Sequence, residues 1–284
     1  MEFLRFFTSD GVELTGLLYD GGKDTVVVHL HGWVGNFYEN EFVQVLGKEL
    51  SKNSISFFAV NTRAHDYRCD LRVKTIDGYT SITGGGAVDD FYSAYIDIKS
   101  TVEYLKSLGY KRVIVQGHST AAQKALYYAI KDNAKDVILL SAGDIYSEIA
   151  VSNKNSKEAF AEAYSLIASG NPKSYLKESL WGLNFTAEAL VNGFGDGAPS
   201  DLFPIRTGKP NPIVQTFKNN VLNVLGDNDA YLEIYSNATV AEKYFAESFA
   251  NANHTFCLLH DGHSFATNPQ KLAEVIINWC SKTN

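Results

Sequence analysis

No stretch of the 284-residue chain comes near the roughly 18 apolar residues that a helix needs to cross a bilayer. The opening MEFLRFFTSDGVELTG has one Arg and a short aromatic run, without the apolar h-region or small-residue cleavage site of a secretory signal. Cysteine is scarce. Cys69, Cys257 and Cys280 are odd in number and show no CxxC spacing, which argues against a disulfide framework or a zinc site. A cytoplasmic protein with buried or half-buried free thiols is the expectation. Basic clusters are missing too: with 25 Lys+Arg against 32 Asp+Glu, the net charge is −7. Neither nucleic-acid phosphates nor an anionic membrane surface finds a footprint.

What is present is globular. Apolar residues make up 45% and charged residues 20%, enough to bury a sizeable core. Segments 3–8 and 13–20 read as an opening hairpin turned by Ser9-Asp10-Gly11. Runs at 25–30 (TVVVHL), 55–61, 112–116, 136–140, 221–225 and 255–259 are continuously apolar and β-branched, the pattern of parallel strands covered on both faces. Helical periodicity falls between them, most clearly at 89–108, 119–130 and 270–280. Strand–helix alternation predicts an α/β fold built on a doubly wound, mostly parallel sheet.

One interval breaks the rhythm. About eighty residues separate the strand ending near Leu140 from the one beginning near Val221, where a crossover needs only about a dozen. Two stretches inside it look helical, 156–168 and 174–181, followed by a Gly/Pro-rich span at 192–212. The expectation is a core of residues 1–143 and 221–284 carrying a helical cap at 144–220. Aromatic residues of that segment, Phe160, Tyr164, Tyr175, Trp181, Phe185, Phe194 and Phe203, fit a cap core better than a pocket lining. Gly84-Gly85-Gly86 lacks the context of a nucleotide-binding loop and reads as a flexible connection.

The sharpest chemical signal is Gly117-His118-Ser119-Thr120-Ala121, between a buried strand and an amphipathic helix. A strand-to-helix turn this tight forces its central serine into a strained backbone and exposes the hydroxyl as a nucleophile. Ala121 stands where G-x-S-x-G has its second glycine, and Ala is the smallest substitute. After the first central strand, His31-Gly32-Trp33-Val34-Gly35 can turn backbone N–H groups toward the elbow. Trp33 and Thr120 N–H are the candidate oxyanion donors, each worth about 3 kcal/mol in acyl transfer; His31 is expected to hold the loop.

A serine hydroxyl needs a base, and the base a partner that fixes its tautomer. After Ser119 the chain offers Gly226-Asp227-Asn228-Asp229 and His260-Asp261-Gly262-His263 at successive strand ends. Asp229 is favoured over Asp227 because it leaves a turn before the carboxylate points back. His263 is favoured over His260 because His260 still belongs to the strand. His254 is expected at the start of that same strand, and Arg63, His65 and Asp66 fit a solvated loop network as well as a site lining.

In HGWVG, GHSTA, GDND and DGHSF, in order and spacing, the chain resembles the α/β-hydrolase superfamily over nearly its whole length. Asn61-Thr62-Arg63-Ala64-His65-Asp66 looks like the N-x-R-G-H-D segment of esterase-like and lipase-like members, with Ala64 for Gly. GHSTAAQKALYYA is also similar to a fungal group that includes siderophore ester hydrolases, over a short segment only. The resemblance implies a carboxylic ester hydrolase with a Ser119–His263–Asp229 triad, no cofactor and no metal, acting on a small-molecule ester. A thioesterase or acyltransferase using the same triad on a carrier-linked or CoA-linked acyl group stays open, as does a non-catalytic binding protein of the same fold.

Overall fold

Strands whose every residue is apolar must be covered twice, and the structure covers them twice. The computed structural model describes residues 1–283. In chain order its strands are β1 (Glu2–Phe7), β2 (Glu13–Tyr19), β3 (Thr25–Leu30), β4 (Ser56–Asn61), β5 (Cys69–Thr75), β6 (Gly78–Gly84), β7 (Arg112–His118), β8 (Asp136–Leu140), β9 (Asn220–Gly226) and β10 (Asn253–Leu259). The helices are α1 (Glu41–Lys52), α2 (Ser93–Ser107), α3 (Thr120–Lys131), α4 (Ile145–Ser152), α5 (Ser156–Ala168), α6 (Ala187–Phe194), α7 (Tyr231–Tyr235), α8 (Ala238–Ser248) and α9 (Pro269–Lys282).

Eight strands form one sheet in the order β1-β2-β4-β3-β7-β8-β9-β10. The β1–β2 and β2–β4 pairs are antiparallel and every later pair is parallel, so the opening hairpin is the antiparallel edge of a parallel sheet. Alternation divides the core. Val26, Val28 and Leu30 of β3 with Val137 and Leu139 of β8 face α2, α3 and α8, while Val27, Ile138 and Leu140 face α1 and α9. Burying each such side chain stabilises the fold by about 1.5–3 kcal/mol, which is why these strands tolerate no polar face.

The 140–220 interval folds as α4, α5 and α6 with irregular chain between them. Its buried Ile149, Phe160, Leu190 and Phe194 belong to the same apolar cluster as one face of the sheet. One guanidinium ties the interval together: Arg206 bonds the Asp144 carboxylate at 2.8 Å, Asp201 Oδ1 at 3.0 Å, and Asp196. Asp144 in turn caps α4 by accepting from the Ser147 N–H at 3.0 Å.

Several elements depart from what periodicity suggests. Segment 174–181 is not helical. The Leu176 and Leu180 N–H groups donate to Phe185 and Leu183 carbonyls, and those of Lys177 and Glu178 to the Glu162 carboxylate. Forward turns and the Glu162 carboxylate therefore take the bonds a helix would need. The helix expected from residue 89 starts at Ser93, because Asp89 is extended and pairs with Lys124 of α3. Helices α1, α4, α6 and α8 and the β5–β6 hairpin were not anticipated. Gly84-Gly85-Gly86 is no loose loop: a Cβ on Gly86 would come within 2.7 Å of the Trp33 indole nitrogen, and one on Gly85 within 2.6 Å of the Tyr67 carbonyl.

The elbow sets the tightest constraint. A Cβ on Gly117 would lie 2.0 Å from the Ala121 carbonyl oxygen, whereas one on Gly193 of α6 meets nothing within 4 Å. Gly117→Ala is expected to cost about 3 kcal/mol or more in urea unfolding, from forced displacement of α3. Gly193→Ala should stabilise by about 0.5–1 kcal/mol through helix propensity alone. Equal effects at the two positions would contradict this packing.

Candidate active site

Four strand ends converge on one cavity of about 440 Å³. Its lining includes Gly32 and Trp33 after β3, Ser119 after β7, Asp229 after β9 and His263 after β10. Gathering at C-terminal strand ends is where open α/β sheets place their ligands.

Ser119 has φ +57° and ψ −128°, an unfavourable backbone for any residue but Gly. It is held there from both sides, since its N–H donates to Leu140 O at 2.9 Å and its carbonyl accepts from Ala122 N–H at 2.8 Å. Gly117, not residue 121, is the close-approach position, so Ala121 fits without strain at 1% exposure. A Cβ on Gly32 would stand 3.1 Å from Ser119 Cβ, which brings the β3 loop against the serine. Among the described residues no hydrogen bond takes up the backbone N–H of Trp33 or of Thr120. Thr120 opens α3, so its N–H also carries the positive end of the helix.

His263 Nδ1 donates to both Asp229 oxygens, at 3.0 and 3.1 Å. Burial works to raise the Asp229 pKa, but hydrogen bonds from His263 and Ser141 and the His263 charge outweigh it and hold the carboxyl below its usual value. The loop bearing His263 is clamped through its backbone: the His263 carbonyl accepts from His118 Nε2 at 2.8 Å and from Ser141 Oγ at 3.2 Å. The buried Asp261 carboxylate accepts from the N–H groups of Gly262, Thr267 and Asn268 at 2.7–3.1 Å. Sequence reasoning missed His118, Tyr231 and Glu148, which all border the cavity. Tyr231 follows Asp229 by two residues and donates its N–H to that carboxylate at 3.0 Å, and it lines the cavity together with Ser119. Its place beside the acid was the available signal; Glu148, on an unanticipated helix, gave none.

The rejected alternatives pair with each other. His260 Nδ1 and Asp227 Oδ2 are 2.8 Å apart, with the His260 side chain 81% exposed and outside the cavity lining. His260 lies just past β10 rather than within it, and His254 lies inside that strand. His31 does hold its loop, donating from Nδ1 to Gly32 O at 2.9 Å and accepting at Nε2 from the Thr62 N–H and hydroxyl. Arg63 is committed to Asp97 and Asp10, and Asp66 accepts from Asn36 and Tyr38, so neither lines the cavity. Of the aromatic residues in the 140–220 interval, only Trp181 and Phe194 reach it; Phe185 lies behind, stacked on Trp33 at 4.6 Å.

Residues 94–280 match the family described as "Protein of unknown function (DUF1749)". The chain belongs to this family. No curated protein matches this DUF1749 chain in sequence. Solved structures match it in shape. Est1E from Butyrivibrio proteoclasticus, with ferulic acid bound, has TM-score 0.66 at 15% identity, covering 99% of this chain and 98% of that one. The siderophore hydrolase EstB from Aspergillus fumigatus has TM-score 0.69 at 10% identity, covering 100% and 98%. The Pyrococcus furiosus esterase Pf2001 has TM-score 0.62 at 16% identity, covering 99% and 90%. The DUF1749 chain therefore has the α/β-hydrolase fold. No helix among its described residues is long and apolar enough to cross a membrane.

Burial pushes His31 down to about 3 and His118 down to about 4. Both are neutral in the folded site, which matches their bonding. The unfolded chain protonates them near pH 6.5, so their contribution to stability is complete above that pH and is lost on acidification through the folded values. Each should contribute a slope of about 1.4 kcal/mol per pH unit between pH 6.5 and its folded value. Urea midpoints at constant ionic strength are expected to fall steadily across that window. A flat profile would refute neutral burial of the pair.

Proposed function

We propose that the chain is a serine hydrolase of carboxylic esters, with Ser119 as nucleophile, His263 as base and Asp229 as the acid that orients it. The observation that carries this reading is the two-oxygen grip of the Asp229 carboxylate on His263 Nδ1, opening onto the same cavity as the strained Ser119. With Nδ1 protonated and engaged, His263 Nε2 is left as the basic nitrogen.

Ser119 Oγ attacks the acyl carbon while His263 Nε2 takes its proton. Negative charge gathers on the former carbonyl oxygen, and the Trp33 and Thr120 N–H groups receive it without reorganising. Collapse of the tetrahedral adduct breaks the bond to the alcohol, which leaves with the proton from His263. The acyl group stays on Ser119. Water, deprotonated by the same imidazole, then attacks the acyl-enzyme and releases the acid, returning the proton to Ser119. The Asp229 carboxylate stabilises the imidazolium at both stages and stays ionised.

Fold-level kinship with the esterases supports an acyl substrate as analogy. Residues 144–220 act as the cap of the site in this reading, because Glu148, Trp181 and Phe194 supply part of its wall.

A fluorophosphonate probe should label Ser119 in the folded protein, located by mass spectrometry, and Ser119→Ala should abolish labelling. Asp229→Asn is expected to lower kcat on p-nitrophenyl esters by about a thousandfold or more, through loss of the working tautomer. Asp227→Asn, which breaks only the outer pair, should stay within about threefold, as surface pairs contribute little. Absence of label on Ser119, or a larger loss at Asp227 than at Asp229, would overturn the assignment.

A further inference from the structure

The cavity wall holds one charge that the proposed reaction leaves unused. Glu148 lies on the first turn of α4, and that helix is fixed from behind by buried Ile145 and Ile149 and at its start by the Asp144–Arg206 pair. Glu148 is half-buried, and the one side-chain hydrogen bond to its carboxyl comes from the Ser152 hydroxyl, at 3.2 Å. No Lys, Arg or His among the described residues forms an ion pair with it. No Lys or Arg lines the cavity either, and the other carboxylate there, Asp229, is engaged by His263. Burial raises the Glu148 pKa, against smaller lowering contributions from the Ser152 hydroxyl and the His263 charge.

A half-buried carboxylate that forms no salt bridge keeps its charge available to a ligand in the cavity it lines. The cavity that Glu148 lines is also aromatic. Trp33, Trp181 and Phe194 line the same cavity, with Trp33 and Trp181 centroids 5.2 Å apart and Trp33 and Phe194 at 5.6 Å. Trp181 is held in place with φ +53°, its N–H donating to Asn153 Oδ1 at 2.7 Å. Aromatic faces attract organic cations, and a carboxylate beside them neutralises the charge. A neutral hydroxyl could answer the hydrogen bond but not the charge.

We propose that Glu148 determines specificity, and that the cavity takes substrates bearing an organic ammonium group, held between the Glu148 carboxylate and the wall of Trp33, Trp181 and Phe194. Calling that ligand a substrate rests on the ester-hydrolase reading; the cation site itself does not.

Two measurements separate them. The first compares p-nitrophenyl esters of an ω-amino acid and of the alkanoic acid of matching length. The native protein should prefer the amino ester in kcat/KM by about tenfold or more. Glu148→Gln should collapse that ratio toward one and Glu148→Lys should invert it, while Glu158→Gln, on the exposed side of α5, should leave it in place. Survival of the ratio in Glu148→Gln, or no preference in the native protein, overturns the proposal. The second titrates Ser119→Ala with n-butylammonium and with n-butanol, following tryptophan fluorescence. Tighter binding of the ammonium by about tenfold, lost on adding Glu148→Gln, supports the cation site; equal binding refutes it. If neither ester is cleaved and the fluorophosphonate leaves Ser119 unlabelled, the hydrolase reading fails and the titration alone decides.

Discussion

Helix α3 leaves strand β7 so steeply that the carbonyl of residue 121 occupies the space a side chain at 117 would fill. Much of the site's geometry follows from that crossing. To make the turn, Ser119 adopts a backbone most residues avoid, and its own N–H and carbonyl are spent on Leu140 and Ala122. The next N–H, that of Thr120, is thereby left without an internal partner at the positive end of a helix. Gly32 can then press to within van der Waals distance of the serine, because neither partner carries excess bulk. A single steric demand thus yields an exposed hydroxyl, a free donor and a close second loop.

The acid–base end is organised differently, by redundancy resolved through burial. The β9 and β10 loops each offer two candidates, and both acid–imidazole pairs form. One pair faces solvent, where water and salt weaken it. The other has a fully buried carboxylate, and its loop is clamped by His118, Ser141 and Asp261. The difference lies in what surrounds each pair, since the chemical groups are the same.

Legibility in the sequence follows the same physics. Strands buried on both faces announce themselves, and β3 and β8 were readable to the residue in TVVVHL and DVILL. The β5–β6 hairpin was missed although CDLRVKT alternates apolar and polar residues, because its partner GYTSITG is largely exposed and shows no matching alternation. Segment 174–181 looked helical, yet the Leu176 N–H goes forward to Phe185 and the Leu180 N–H forward to Leu183, where a helix would send each back to the preceding turn. At the site, Ser119, Trp33, Thr120, Asp229 and His263 were nameable because each sits at the end of a legible strand. Glu148 and Trp181 were not singled out as lining residues, because their segments take shape only by packing on the rest.

That division has a consequence for how the family can change. The elbow, the acid and the imidazole are tied to strand ends, where a shift in one is felt by the sheet. The wall opposite them hangs on Arg206, which draws Asp144, Asp196 and Asp201 from separate turns and itself lies outside the cavity lining. Residues on the inner surface of that wall can be exchanged one at a time while the anchor behind them stays intact. Descent with modification can therefore reshape the cavity wall in one stretch of the gene and leave the strand-end residues, written in others, untouched.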